Sequence, residues 1–258
     1  MIPAAFITEW SNKVAWPTVD QIEQDLLLSR LIIEIANDDY LGKELVFRGG
    51  TCLHKLHLSQ ALRYSEDLDY VRRSEGGIGD LIDAIRAIAD RLGMSVKTDI
   101  RSFPKVRLRA PFESGSGTMS IKVEVNTYER SPANELQRLP YSLDTQWYVG
   151  RADVLTFSVA ELVTTKLRAL YQRSKGRDLF DLWLALTTLD VPPADIVECF
   201  APYRPDKYTP VLAERNLRTK LTDVNFRHDL DQLVGNWPSG YNIDTAAELV
   251  IQQLISWL

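Results

Sequence analysis

Two carboxylates one residue apart, Asp67 and Asp69 in Ser65-Glu66-Asp67-Leu68-Asp69-Tyr70, follow a glycine turn, Phe47-Arg48-Gly49-Gly50-Thr51. In an extended strand successive side chains leave opposite faces, so Asp67 and Asp69 emerge together while Leu68 turns to the core. Such a pair can hold Mg²⁺, a cation that wants near-octahedral oxygen ligands and takes only one or two from the protein, leaving the rest to water and phosphate. A merely solvated strand end has the same spacing, because carboxylates are ordinarily exposed. The glycines favour a site: they reach positive φ freely and let a ligand approach the backbone. A helix starting there, with Thr51 as cap and Cys52 to Leu58 as body, would offer free N–H groups and its dipole to a phosphate.

Other charged residues are spaced to complete such a site. Glu124 lies on a strand among Arg107, Arg109 and Lys122, where it is either a third carboxylate of a metal site or one half of a cross-strand ion pair. Lys166, Arg168, Arg173, Lys175 and Arg177 all precede Asp178 and Asp181. If one helix persists through them, Lys166, Arg173 and Arg177 share a face and form an anion clamp suited to the charge that develops as a triphosphate loses pyrophosphate. The same residues also read as a solvated basic turn with local pairs.

The elements that must position these residues follow from capping and periodicity. Thr18 with Gln21 is a capping box, so a helix should run from there to about Asn37. Glu44 to Phe47 is a short strand. Leu81, Ile82, Ile85, Ile88, Ala89 and Leu92 make an amphipathic helix closed by Gly93. Val106, Leu108 and Ala110 alternate with Lys105, Arg107 and Arg109, and after Glu113-Ser114-Gly115-Ser116-Gly117 the alternation resumes from Met119 to Asn126, which predicts a hairpin. From Thr127 to Phe157 loop formers dominate, including Ser131-Pro132 and Leu139-Pro140, and a boundary is placed there, giving domains 1–150 and 151–258. Ser158 with Glu161 is a second capping box opening a helix to about Arg173. Ser174-Lys175-Gly176 breaks it, and another helix runs from Arg177 to about Leu189. Further helices are expected at 194–201, 208–221, 223–234 and 244–258, with a loop at 236–240.

The 258 residues are 45% hydrophobic and 25% charged, near average usage for a globular chain with no long disordered tract. There is no run of 18 apolar residues, which excludes a membrane-spanning helix, and the start of the chain does not read as a signal peptide. Cys52 and Cys199 are far apart in dissimilar contexts, so neither a disulfide framework nor a zinc site is expected, and a cytoplasmic location is the default. His54, His57 and His228 lack a third ligand at metal spacing and are read as structural. The net charge of −5 argues against a generally basic surface, yet a local strip of Lys97, Arg101, Lys105, Arg107 and Arg109 can seat RNA phosphates.

Together Phe47-Arg48-Gly49-Gly50-Thr51, Ser65-Glu66-Asp67-Leu68-Asp69 and the stretch from Glu161 through Lys166 to Asp181 resemble the AbiEii/MenT nucleotidyltransferase toxins of the DNA polymerase β-like superfamily. The resemblance implies an α+β fold: a polymerase β-like core of mixed, largely antiparallel sheet with flanking helices, plus a C-terminal helical lobe. It implies Mg²⁺-dependent transfer of a nucleotide, pyrimidine and CTP above all, from an NTP to the 3′ end of tRNA, which blocks aminoacylation. A cognate antitoxin is the implied partner. Carried over by position, Asp67 and Asp69 are the metal pair, with Glu124 as a candidate third ligand. Arg48, Gly49, Gly50, Thr51 and Ser65 line the nucleotide. Lys166 is the essential lysine, Asp181 the acid on the following helix, and Arg173, Arg177 and Asp178 join the nucleotide site. Two rival readings stand beside this one: transfer to a small molecule or protein hydroxyl, and a non-catalytic partner-binding protein.

Overall fold

Thr18 sets the first long helix as its sequence requires: its Oγ1 accepts from Gln21 N at 3.2 Å while Gln21 Oε1 accepts from Thr18 N at 3.1 Å, closing both halves of the box. The computed structural model describes every residue except Met1, Arg101, Ser102 and Ser116, so Arg101 of the basic strip and Ser116 of the hairpin turn lie outside the described residues. The chain divides into two compact units, one of residues 1–130 and 136–157, the other of 131–135 and 158–258.

In chain order the first unit holds α1 (Ala4–Ser11), α2 (Val19–Asn37), α3 (Leu41–Glu44), β1 (Leu45–Arg48), α4 (Gly49–Cys52) continuing as a π-helical turn over Leu53–His57, β2 (Asp67–Arg72), α5 (Gly79–Arg91), β3 (Ser95–Asp99), β4 (Lys105–Pro111), β5 (Thr118–Asn126), β6 (Gln137–Asp144) and β7 (Val149–Thr156). Among the described residues the seven strands make one mixed sheet in the order β3-β4-β5-β2-β1-β7-β6. The neighbours β2/β5 and β1/β7 are parallel; the other four pairs are antiparallel. Helices α2 and α5 pack on one face, where Leu26, Ile33 and Ile85 join Leu68, Val106, Ile121 and Val123 in a core almost without solvent contact. Complete burial of a side chain of this size contributes about 1.5–3 kcal/mol. On the strands β3, β4, β5 and β2 the alternate residues that face away from that core are mostly polar, among them Lys97, Arg107, Lys122, Glu124, Asp67 and Asp69.

The stretch 127–157 departs from its expected loop. It contains β6 and β7, and the junction at 150/151 falls inside β7. Pro140 sits in β6, which is the edge strand of the sheet; an edge is where a residue without an N–H is tolerated, so the proline that suggested a break is compatible with a strand.

The second unit holds α6 (Val159–Gln172), α7 (Gly176–Thr187), α8 (Pro193–Glu198), α9 (Pro210–Lys220), α10 (Val224–Arg227) and α11 (Ile243–Gln253). The helix expected over 223–234 is thus a single turn. At the start of α6 only half of the expected capping box forms. Ser158 Oγ accepts from Glu161 N at 3.3 Å, but the Glu161 carboxylate instead accepts from Ala133 N at 2.7 Å, Asn134 N at 3.2 Å and Tyr203 Oη at 2.5 Å. Fully buried, it anchors segment 131–135 to this unit. Gly176 opens α7 because an added Cβ there would overlap the Phe226 carbonyl.

Candidate active site

The site in the first unit is built on β1, α4, β2 and β5. Gly49 leaves β1 with φ +83°, a region L side chains rarely adopt, and its α-carbon lies so close to Asp69 that an added Cβ would stand 3.0 Å from Asp69 Cβ and overlap Asp69 Oδ2. The glycine therefore lets the chain turn and also leaves room for a carboxylate. Thr51 is not the helix cap that its position suggested. The helix begins two residues earlier, at Gly49, and Thr51 Oγ1 lies 2.5 Å from Asp67 O and 2.9 Å from Ser65 Oγ. A carbonyl can only accept, so the Thr51 proton goes to Asp67 O and the Ser65 hydroxyl donates to Thr51. Both residues thus hold the backbone of the first carboxylate.

Parallel pairing sets Asp67 opposite Lys122 and Asp69 opposite Glu124. Lys122 Nζ lies 3.0 Å from Asp67 Oδ2 and 3.2 Å from Glu124 Oε2, and Lys105 Nζ lies 3.6 Å from the same Glu124 oxygen. Burial alone would lower the Lys122 pKa, but its bonds and proximity to Asp67 and Glu124 outweigh that and raise it. Arg48 is drawn to Glu129, 2.7 Å away. The register continues across the sheet, with Arg107 opposite Lys122 and Lys97 opposite Arg107. Lys97, Arg107 and Arg109 make no ion pair among the described residues, whereas Lys105 does.

In the second unit Lys166, on α6, reaches two acids of α7. Its Nζ lies 2.9 Å from Asp181 Oδ2 and 3.5 Å from Asp178 Oδ1. Arg173 binds Asp178 through two nitrogens, at 2.7 and 2.8 Å. Burial would raise the Asp178 pKa, but Lys166 and Arg173 overcome it and hold the carboxyl below its ordinary value. The clamp drawn on one continuous helix does not form: Arg173 is extended (φ −131°, ψ 159°) and α7 starts afresh at Gly176. Arg177 faces Asp229 instead, which accepts from its backbone N at 3.2 Å and lies 3.9 Å from its Nε.

Residues 30–248 match the family model described as nucleotidyl transferase AbiEii toxin, type IV toxin-antitoxin system. The chain belongs to the AbiEii nucleotidyltransferase toxin family. AbiEii membership carries with it nucleotidyl transfer, a toxin's place in a toxin-antitoxin pair, and hence an antitoxin partner. The fold is also that of two solved structures from Helicobacter pylori. JHP933 from Helicobacter pylori is 18% identical with a TM-score of 0.54, covering 93% of each chain. A putative nucleotidyltransferase from H. pylori is 19% identical with a TM-score of 0.54, covering 92% of this chain and 95% of that one. The nucleotidyltransferase toxin MenT4 from Mycobacterium tuberculosis is 15% identical with a TM-score of 0.49 over 95% of this chain and 98% of that one. No curated protein matches the chain. Among the described residues no helix is long and apolar enough to cross a membrane.

The AbiEii site suits a hard divalent cation. Asp67 and Asp69 share a face, Gly49 leaves room for the second carboxylate, and a cation, the Lys122 ammonium, already lies against the first. Among the described residues no group of three His, Cys, Asp or Glu side chains converges as a metal cage. Two participants were not legible as such in the sequence: Glu129 as the partner of Arg48, and Lys122 as the residue directly opposite Asp67. Both depend on strand register, for which the hairpin alternation gave only the face.

Proposed function

We propose that this protein is a Mg²⁺-dependent nucleotidyltransferase toxin that adds nucleotides from an NTP, pyrimidine and CTP by preference, to the 3′ end of tRNA and so stops aminoacylation. The observation that carries this reading is Asp69 fitted against Gly49 with Asp67 on the same face, its backbone held by Thr51. Mg²⁺ held by Asp67 and Asp69 would supply positive charge to the phosphates and acidify the attacking hydroxyl. The chain's own work is positional. Gly49 and Gly50 let phosphate oxygens come close to the backbone, Thr51 and Ser65 keep Asp67 in register, and Arg48 is steered by Glu129. Within the second unit Lys166 presents an ammonium oriented by Asp181 and Asp178, and Arg173 and Arg177 add positive charge there, a set suited to an anionic ligand. The acceptor is assigned to RNA because Lys97, Arg107 and Arg109, which have no ion-pair partner among the described residues, lie on the face that carries Asp67.

The test is incubation with total RNA and each α-labelled NTP in Mg²⁺, followed by sizing of the product. Label in tRNA-sized material, strongest with CTP, is the expected result, and Asp67→Asn or Asp69→Asn should lower it at least about a hundredfold, since the lost metal term is worth several kcal/mol of barrier. Label confined to protein, or full transfer by a folded Asp67→Asn chain, overturns the reading.

A further inference from the structure

Lys122 has an opposite charge, Asp67, directly beside it on β2 and a like charge, Arg107, directly beside it on β4. Arg107 in turn stands directly opposite Lys97, so three like charges lie side by side across β5, β4 and β3, an arrangement that destabilises a sheet. Nor is Lys122 needed as the counter-charge of Glu124, since Lys105 on the other neighbouring strand already lies 3.6 Å from that carboxylate. What only Lys122 does is bridge: its ammonium touches Asp67 on β2 and Glu124 on its own strand, at 3.0 and 3.2 Å.

We propose that Lys122 is the built-in second cation of the site, its ammonium filling the gap between Asp67 and Glu124 that a second divalent ion would otherwise occupy and so restricting the site to one. The proposal rests on Asp67 and Asp69 being the metal pair. In a two-metal arrangement the ions lie about 3.5–4 Å apart and share carboxylates between them. Here Lys122 sets one positive charge between Asp67 and Glu124, in contact with both. Glu124 enters as the anchor of the ammonium. An ammonium is a compact point charge with donors that rotate, so it can hold two carboxylates apart and screen them during nucleotide binding. A divalent ion in the same gap would also polarise a bound oxygen, which Lys122 does not do.

Lys122→Met keeps the aliphatic stem and removes the charge; Lys122→Gln is a second variant, in case the first fails to fold. Mn²⁺ uptake by the full chain is counted by electron paramagnetic resonance without nucleotide or RNA, with a thermal melt as the folding control. At equal free Mn²⁺, each variant should hold about one ion more per chain than the wild type, and a further Glu124→Gln change should remove that ion again. Equal uptake by the wild type and a folded variant across the titration overturns the proposal, as does an extra ion that persists when Glu124 is Gln. Because no transfer is measured, absence of RNA labelling would count against the proposed activity and leave the ion count to decide the role of Lys122.

Discussion

At the scale of single residues Gly49 does what no other side chain in the site can replace. Its φ of +83° is strained for any L residue, and the space where a Cβ would go is taken by the Asp69 carboxylate. Gly49→Ala should therefore cost about 2 kcal/mol, a left-handed backbone penalty plus overlap with a neighbour, seen as a lower urea midpoint with an unchanged slope. It should also weaken Mn²⁺ binding, because the overlap is relieved most easily by moving Asp69. A wild-type urea midpoint would show that the turn absorbs a Cβ without strain. The two glycines and the alternate carboxylates were legible because glycine freedom and strand alternation are local properties. The role of Thr51 was not: its hydroxyl goes to a carbonyl sixteen residues away, and a threonine after two glycines also fits a helix cap.

At the scale of elements, α6 and α7 are joined by charge as well as by packing. Asp178 is fully buried and held by Lys166 and Arg173, so its carboxyl ionises more readily than an ordinary aspartate. A depressed carboxyl contributes stability that is present above its unfolded pKa and lost as pH falls through the folded one. Asp178→Asn should lower stability by about 3 kcal/mol at neutral pH by leaving buried cationic charge under-compensated. It should also flatten the decline in stability below about pH 4; urea melts across pH would show the two curves converging in acid, and parallel curves would remove Asp178 from the pH dependence. Element identity was legible wherever a cap or a clean period marked it, as for α2, α5 and the β4–β5 hairpin. It failed where tertiary context decides: Pro140 is harmless only because β6 is an edge, and Glu161 leaves its capping box for the buried N–H groups of residues 133 and 134. β3, short and polar on its exposed face, is defined by its pairing with β4 rather than by composition.

At the scale of the molecule, the overall balance of charge conceals its distribution. The chain carries a net charge of −5, yet one sheet face of the first unit presents Lys97, Arg107 and Arg109 without ion-pair partners among the described residues, Lys97 and Arg107 directly opposite each other. Holding cations this way costs folding energy that an anionic ligand would return. If the ligand is the single-stranded end of an RNA, each neutralised phosphate releases counterions and contributes about −0.7 to the slope of log binding constant against log salt. Replacing all three by Gln should then weaken binding of a short single-stranded RNA at low salt and reduce that slope in magnitude by about 2. Because the three residues point away from the core, the variant should melt close to the wild type or slightly above it, which separates a lost binding charge from a damaged fold. The measurement is fluorescence anisotropy over a salt series, with a free pyrimidine nucleotide as the comparison ligand, whose affinity should change little. An unchanged slope for RNA would remove this face from acceptor binding, and an equal loss for the free nucleotide would make it part of the nucleotide site instead.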